Sequence, residues 1–99
     1  MEHHLIVAIP DKEPINFSVS GDEMTLGRAP DNDIQVLVRE VSTTHCKFVL
    51  SEGEYHLEDL GSTNGTKVND QSIKNGRTHL NSHDIIILGE TTPCYFVEI

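Results

Sequence analysis

Three short stretches of this 99-residue sequence carry a guanidinium, several hydroxyls and a side-chain amide, all of which can donate hydrogen bonds. Arg28 lies in "TLGRAPDNDI" and Ser42 lies in "VSTTH", whereas Thr63 and Asn64 lie in "DLGSTNGTKVN". The arginine offers a fork of charged N–H donors that fits phosphate oxygens, and the hydroxyl groups can satisfy the oxygens that remain. An asparagine amide donates and accepts at once, which suits it to hold an extended main chain. Together these residue types favour a site for a phosphate group attached to a peptide.

A hydrolytic site is the alternative chemistry for some of the same residues. Ser42 and His45 are close in sequence, and Asp59 could orient the histidine. However, no strand-to-helix nucleophile elbow surrounds the serine, and a catalytic triad is defined by geometry rather than by spacing. A histidine at the start of an apolar strand is more often buried and structural. We therefore expect a protein that is not an enzyme.

Metal and cofactor sites are not expected. No set of histidines and cysteines has the spacing of a zinc site, and His3 and His4 lie close to the N-terminus. The stretch "LGSTNGT" lacks the lysine of a nucleotide-binding loop and the helix that should follow it. The N-terminus does not resemble a signal peptide, so we expect a cytoplasmic protein in which Cys46 and Cys94 are free thiols.

The chain is acidic, with 16 Asp and Glu residues against 7 Lys and Arg residues and a formal net charge of -9. Its basic residues are scattered along the sequence, so nucleic acid and anionic membrane surfaces are unfavourable partners. The longest apolar runs, 5–9 and 85–88, are far too short to cross a membrane. Because a phosphate group is also negatively charged, we expect neutral or basic residues around it in a peptide ligand.

Apolar residues alternate with polar residues over short stretches, which is typical of half-buried β-strands. Ile15, Phe17 and Val19 alternate in this way within 15–20, and 45–60 is expected to form a hairpin. The other predicted strands are 5–9, 23–28, 33–38, 66–70, 71–74, 77–80, 84–90 and 94–99. No stretch has a sustained helical period. The recurring turns predict one all-β domain over residues 1–99, a sandwich or a barrel.

Several motifs occur in a fixed order: Gly27-Arg28, Ser42-x-x-His45, "STNGT" at 62–66 and Val68-Asn69. With this order and spacing, the sequence resembles the forkhead-associated (FHA) domain family from about residue 5 to residue 99. The most specific parts are "TLGRAPDNDI" and "DLGSTNGTKVN". The resemblance implies a two-sheet β-sandwich of about eleven mostly antiparallel strands. It also implies that loops at one end of the sandwich bind a phosphothreonine peptide.

The resemblance implies a role for each matching residue. Arg28 would make the main ionic contact to the phosphate, and Ser42 would donate its hydroxyl to the same group. Thr63 would add a second hydroxyl or its main-chain amide, and Asn64 would hold the peptide main chain. Thr43 occupies a position that often carries a longer residue in contact with the ligand. Three further positions would support the site structurally, namely Gly27, His45 and Gly65.

Two turn positions depart from the family pattern, because Asp70 and His83 stand where glycine is usual. Both residue types tolerate a left-handed backbone better than most, so we expect these departures to cost little stability.

A domain of this kind would act in signalling or regulated assembly. It would recognise a phosphothreonine-containing protein or peptide and would act with, or be fused to, a Ser/Thr kinase pathway. The alternative is an FHA-fold scaffold or secretion-apparatus domain that does not bind phosphate. Such relatives need not keep Arg28, Ser42 and Asn64, so the presence of all three residues favours phosphate binding.

Overall fold

The computed structural model describes all residues from Met1 to Ile99. They form eleven β-strands and no helix, which confirms the predicted all-β fold. The chain therefore has no helix that is long and apolar enough to cross a membrane. The strands are β1 (His3–Val7), β2 (Ile15–Val19), β3 (Glu23–Gly27), β4 (Ile34–Gln35), β5 (Cys46–Ser51), β6 (Glu54–Asp59), β7 (Thr66–Val68), β8 (Gln71–Ser72), β9 (Arg77–His79), β10 (Ile85–Leu88) and β11 (Thr92–Glu98).

The strands form two sheets. One sheet has six strands in the order β2-β1-β11-β10-β7-β8, and the other has five in the order β4-β3-β5-β6-β9. Every pairing is antiparallel except that of β3 with β4. The first strand pairs with the last, with Leu5 opposite Phe96. The two ends of the described chain therefore lie side by side in one sheet.

Seventeen buried apolar residues form the core of the sandwich. The two-residue alternation places Cys46 and Phe48 of β5 in this core, together with Tyr55 and Leu57 of β6. Phe48 of one sheet stacks on Phe96 of the other, with ring centroids 6.2 Å apart. Full burial of a large apolar side chain contributes about 1.5–3 kcal/mol. The core therefore supplies the rigid frame from which the loops project.

The two cysteines are free, as the sequence predicts, and both are buried. Burial raises the pKa of both thiols, and it raises that of Cys94 to about 12. Both thiols therefore stay protonated at neutral pH and pack as small apolar side chains.

The predicted strand 33–38 is only partly correct, because β4 contains Ile34–Gln35 alone. Val36 donates its main-chain N–H to the oxygen of Gly27 at 2.9 Å, and the chain then leaves the sheet and turns towards Val41. Val36 and Val41 are both buried in the core. The apolar pattern of a strand therefore continues past the point where the strand ends.

The predicted burial of Ile15 is wrong. Val19 at the other end of β2 is buried, but Ile15 is 40% exposed. Since β2 is an edge strand, it has a neighbour on one side only. Ile15 lines a shallow apolar groove at the surface, together with Leu37.

The two turn positions without glycine do adopt a left-handed backbone. The φ angles are 70° at Asp70 and 77° at His83. Both residues are exposed, and His83 donates its main-chain N–H to the oxygen of Phe96 at 2.7 Å. The turn before β10 therefore depends on the backbone conformation at His83 rather than on its side chain.

Candidate functional site

Three loops meet at one end of the sandwich: the loop after β3, the loop between β4 and β5, and the loop between β6 and β7. The first two are joined by main-chain hydrogen bonds from Arg28 N to Ser42 O (2.9 Å) and from Ala29 N to Thr43 O (3.2 Å). Gly27, the last residue of β3, makes this approach possible. A Cβ atom at position 27 would overlap the carbonyl oxygen of Thr43.

Arg28 places its guanidinium beside the loop between β4 and β5. Its Nη1 atom donates to the main-chain oxygen of Arg39 at 3.2 Å, and the side chain remains half-exposed. None of the four ion pairs of the chain involves Arg28. Since a guanidinium has five N–H donors, most of those on Arg28 are free to bind an anion.

The hydroxyl of Ser42 is oriented by the loop between β6 and β7. Its Oγ atom accepts a hydrogen bond from the main-chain N–H of Thr63 at 3.0 Å. A serine hydroxyl can accept and donate at once, so the O–H of Ser42 is still free to donate to a ligand. The amide of Thr63 is thereby occupied, and the exposed Thr63 hydroxyl is the group that remains for a ligand.

His45 lies fully buried beneath these loops. Its Nδ1 atom accepts a hydrogen bond from the main-chain N–H of Ser42 at 3.0 Å, and its Nε2 atom lies 2.9 Å from the oxygen of Gly65. Since Nδ1 accepts, the ring is neutral and Nε2 carries the proton that it donates to Gly65. Burial lowers the pKa of His45, and this effect outweighs the Gly65 hydrogen bond and the negative charges of Asp59 and Glu40.

Gly65 completes the corner between β6 and β7. Its φ angle is 85°, a left-handed value that favours glycine. Its oxygen accepts from the His45 ring and also from the main-chain N–H of Gly89, at 2.9 Å in both cases. Gly65 therefore joins the site loops to the turn between β10 and β11.

Asn64 projects from the same corner into solvent. Its Nδ2 atom donates to the main-chain oxygen of Glu40 at 2.9 Å. This bond leaves its Oδ1 atom and one N–H free, which is the pair of groups that an extended peptide main chain would use. Thr43 is also exposed, but its side chain makes no hydrogen bond in the chain, and its main-chain oxygen is directed to Ala29 and Asn32.

Asp59 is a structural residue whose role the sequence interpretation missed. Its buried carboxylate accepts five hydrogen bonds, from Gly61 N, Ser62 N, Ser62 Oγ, Thr66 Oγ1 and Asn75 N. Burial raises the pKa of Asp59, but these bonds outweigh it and hold the pKa below its ordinary value. An aspartate directly before a run of turn residues is the signal that would have indicated this role.

The polar residues at the 60–66 corner therefore divide into two groups. Ser62 and Thr66 are buried and face Asp59, so they hold the shape of the corner. Thr63 and Asn64 are exposed and face away from it. This division explains why the corner contains more hydroxyl and amide groups than a simple turn requires.

Glu40 is a second structural residue that the sequence did not reveal. Its carboxylate accepts hydrogen bonds from the main-chain N–H groups of Glu90 and Thr91 and from the hydroxyls of Thr91 and Thr92. Burial raises the pKa of Glu40, but the hydrogen bonds leave it below its ordinary value. Because the main-chain oxygen of Glu40 receives the Asn64 bond, this residue fixes Asn64 relative to the β10–β11 turn.

The geometry excludes the hydrolytic alternative. The Oγ atom of Ser42 contacts the amide of Thr63, and His45 faces the main chain of Ser42 rather than its hydroxyl. The carboxylate of Asp59 accepts hydrogen bonds from its own loop and from Asn75, and none from His45. Ser42, His45 and Asp59 therefore do not form a catalytic triad.

A β-sandwich whose Arg, Ser, Thr and Asn side chains keep free hydrogen-bonding groups on loops at one end defines a class of ligand-binding domain rather than an enzyme. The FHA domain model matches residues 24–89. The chain belongs to the FHA domain family.

One sequence relative and two solved structures illustrate the similarity. An oxoglutarate dehydrogenase inhibitor from Corynebacterium efficiens is 47% identical over 53 residues, which is 54% of this chain and 37% of that protein. The FHA domain of the CT664 protein from Chlamydia trachomatis is 26% identical with a TM-score of 0.88, and the match covers 100% of this chain and 99% of that chain. Mycobacterium tuberculosis EmbR, solved in complex with a low-affinity phosphopeptide, is 25% identical with a TM-score of 0.83, over 97% of this chain and 24% of that chain. The chain thus spans little more than a third of the curated relative.

Proposed function

We propose that this domain binds phosphothreonine in a partner protein and acts as a phosphopeptide-recognition module in signalling or regulated assembly. The observation that carries the proposal is that Arg28, whose guanidinium forms no ion pair, is joined through its main chain to Ser42, whose O–H is free to donate. A chain with a net charge of -9 could readily pair this arginine with a carboxylate, yet none lies within salt-bridge distance. Each hydrogen bond from the Arg28 guanidinium to a phosphate oxygen would contribute about 1.5–3 kcal/mol to binding, which is typical of hydrogen bonds to charged groups.

Each exposed donor has a separate role in this proposal. Arg28 makes the ionic contact to the phosphate, and the hydroxyls of Ser42 and Thr63 donate to its other oxygens. Asn64 pairs with the peptide main chain next to the phosphothreonine. Thr43 lies at the edge of the site, where its short uncharged side chain limits its contribution to affinity. His45, Gly27 and Gly65 support the loops without contacting the ligand.

The family and the relatives support the same function. The EmbR structure contains a phosphopeptide, and EmbR has the same fold at 25% identity. The partner we propose is a phosphothreonine-containing protein that a Ser/Thr kinase pathway supplies, and neither nucleic acid nor membrane is part of the proposal. We further propose that residues 1–99 are one folding unit, since β1 pairs with β11, and that the protein is cytoplasmic.

The test is calorimetric titration with matched peptides. A phosphothreonine peptide-library screen would first identify a preferred sequence, which is then synthesised with phosphothreonine, phosphoserine and threonine at the same position. The phosphothreonine form should bind and the unmodified form should not. Phosphoserine should bind more weakly by about 0.8 kcal/mol, the contribution of one buried methyl group. Equal affinity for the phosphorylated and unmodified peptides would favour the alternative, an FHA-fold scaffold that does not recognise phosphate.

A further inference from the structure

A polar depression of about 440 Å³ lies next to Asn64, and no hydrophobic residue lines it. We call it the lysine depression, because Lys67 and Lys74 line it together with Ser72 and Glu90. The depression is formed by β7, β8 and the turn between β10 and β11. It is therefore contiguous with the candidate phosphate site but is not built from the donors described above, apart from Asn64.

The backbone fixes the positions of the two lysines. Lys67 is the central residue of β7, and because Thr66 and Val68 on either side are buried, Lys67 points outwards. It lies directly opposite Ser72 in the pairing of β7 with β8. Lys74 follows Ser72 by two residues, and its Nζ atom lies 3.4 Å from the main-chain oxygen of Thr63. One ammonium group thus lies at the corner that carries Thr63 and Asn64.

The two lysine charges of the depression are only partly balanced by the protein. Neither Lys67 nor Lys74 forms an ion pair, whereas Lys47 on β5 pairs with Glu23. The one carboxylate in the lining is that of Glu90, so lysines outnumber acids there. In a chain with 16 acidic residues and 7 basic residues, two lysines without ion pairs in one concave surface are a local excess of positive charge, which favours an anion.

We propose that the lysine depression binds a second anionic group of the same phosphopeptide, either a carboxylate or a second phosphate. This inference rests on the proposed function, because Asn64 both lines the depression and is the residue assigned to the peptide main chain. An extended peptide advances about 3.3 Å per residue, so a side chain a few residues from the phosphothreonine reaches the depression. The part of the peptide that faces the lysine depression should therefore carry an acidic residue. This differs from the general expectation that an acidic domain prefers a neutral or basic peptide.

The experiment uses a nine-residue peptide with phosphothreonine at its centre and alanine or serine elsewhere. Glutamate is placed in turn at each other position, and a second series carries a second phosphothreonine instead. Each peptide is titrated against the wild type, the double variant Lys67→Ala/Lys74→Ala and the charge-matched control Lys12→Ala/Lys47→Ala. Melting temperatures verify that all three proteins are folded.

We expect glutamate at one position to raise affinity about three- to tenfold over the unsubstituted peptide in the wild type and in the control. The gain should disappear in Lys67→Ala/Lys74→Ala, which should still bind the unsubstituted peptide. A gain only in the second series would assign the depression to phosphate rather than carboxylate. The inference would be overturned if neither glutamate nor a second phosphothreonine raised the affinity at any position, or if the gain in affinity persisted in Lys67→Ala/Lys74→Ala. Either result would leave the proposed function intact. Failure of every phosphothreonine peptide to bind would overturn both.

Discussion

The Nδ1 atom of His45 accepts a hydrogen bond from the main-chain N–H of Ser42, 3.0 Å away. This bond exists only when Nδ1 carries no proton, so the loop that presents the Ser42 hydroxyl depends on a neutral imidazole. The opposite ring nitrogen is bonded to Gly65. One buried side chain thus connects two of the loops that form the candidate site.

Stability should therefore fall as the pH drops below about 6.5. Burial lowers the pKa of His45 in the folded protein, whereas in the unfolded chain it is about 6.5. The unfolded state binds more protons between these two values, so the His45 contribution is complete above pH 6.5 and is lost as the pH falls towards the folded pKa.

Urea unfolding between pH 8 and pH 5 measures the slope of the unfolding free energy against pH. In His45→Gln, stability should be lower by about 1–3 kcal/mol at pH 8, and the slope should be shallower; an unchanged slope would contradict the assignment.

Replacing Asp59 by asparagine should destabilise the domain by about 3 kcal/mol. An amide has one acceptor oxygen instead of two and directs its own N–H groups at the Ser62 and Thr66 donors. Because hydrogen bonds hold the pKa of Asp59 below its ordinary value of 3.8, its contribution should be present above that pH and be lost as the pH falls further. Thermal unfolding of Asp59→Asn measures the loss, with the exposed Asp31→Asn as control. Equal melting temperatures for the two variants would contradict this role.

Glycine at position 83 should stabilise the protein. His83 adopts a φ of 77°, a conformation that costs non-glycine residues up to about 1–2 kcal/mol, and histidine less than most. Glycine removes this cost, and the greater entropy of the unfolded chain offsets roughly 0.4–1 kcal/mol of the gain. We expect His83→Gly to raise the melting temperature by a few degrees. The control Glu13→Gly, at an exposed position without a positive φ, should lower it, and a decrease for both variants would show that the His83 backbone is not strained.

Asn64→Ala should weaken phosphopeptide binding by about 1 kcal/mol without changing its dependence on salt. The proposed contact of Asn64 is with the uncharged peptide main chain, so its loss removes no ionic interaction. Titrations at 50 mM and 300 mM NaCl measure the salt dependence. The wild type and Asn64→Ala should show the same ratio of affinities at the two concentrations. A flattened salt dependence in Asn64→Ala would place Asn64 at the phosphate instead.

The sequence predicted the strands well where the two-residue alternation coincides with burial. The hairpin of β5 and β6 is an example, since the alternating residues of 46–59 face the core. The pattern fails at 36–38, where Val36 is buried although the backbone has left the sheet. Burial of a side chain and membership of a strand are different properties, and the apolar pattern reports only the first.

The sequence indicated the exposed donor residues of the candidate site, but it did not indicate the residues that hold the loops in place. Arg28, Ser42 and Asn64 belong to local motifs, so their types and order are visible in the sequence. The partners of Glu40 lie about 50 residues further along the chain, and Lys74 approaches Thr63 only because β7 and β8 form a hairpin. Such contacts depend on the assembled sandwich, and no local pattern encodes them.

The central claim is that Arg28 binds the phosphate through the geometry of its guanidinium. Arg28→Lys keeps the net charge at -9 but replaces a planar fork by a point charge on a flexible stem. Arg28→Ala removes the charge, and the exposed Arg77→Ala removes the same charge from β9 as a control. All four proteins are titrated calorimetrically with one phosphothreonine peptide at one salt concentration.

This titration tests the account most directly. We predict that Arg28→Lys binds about fivefold more weakly than the wild type or worse, a difference of about 1 kcal/mol or more. Arg28→Ala should lose considerably more affinity, because the phosphate then faces only neutral donors in an acidic protein, while Arg77→Ala should bind like the wild type. Wild-type affinity in Arg28→Ala would contradict the phosphate site and with it the proposed function.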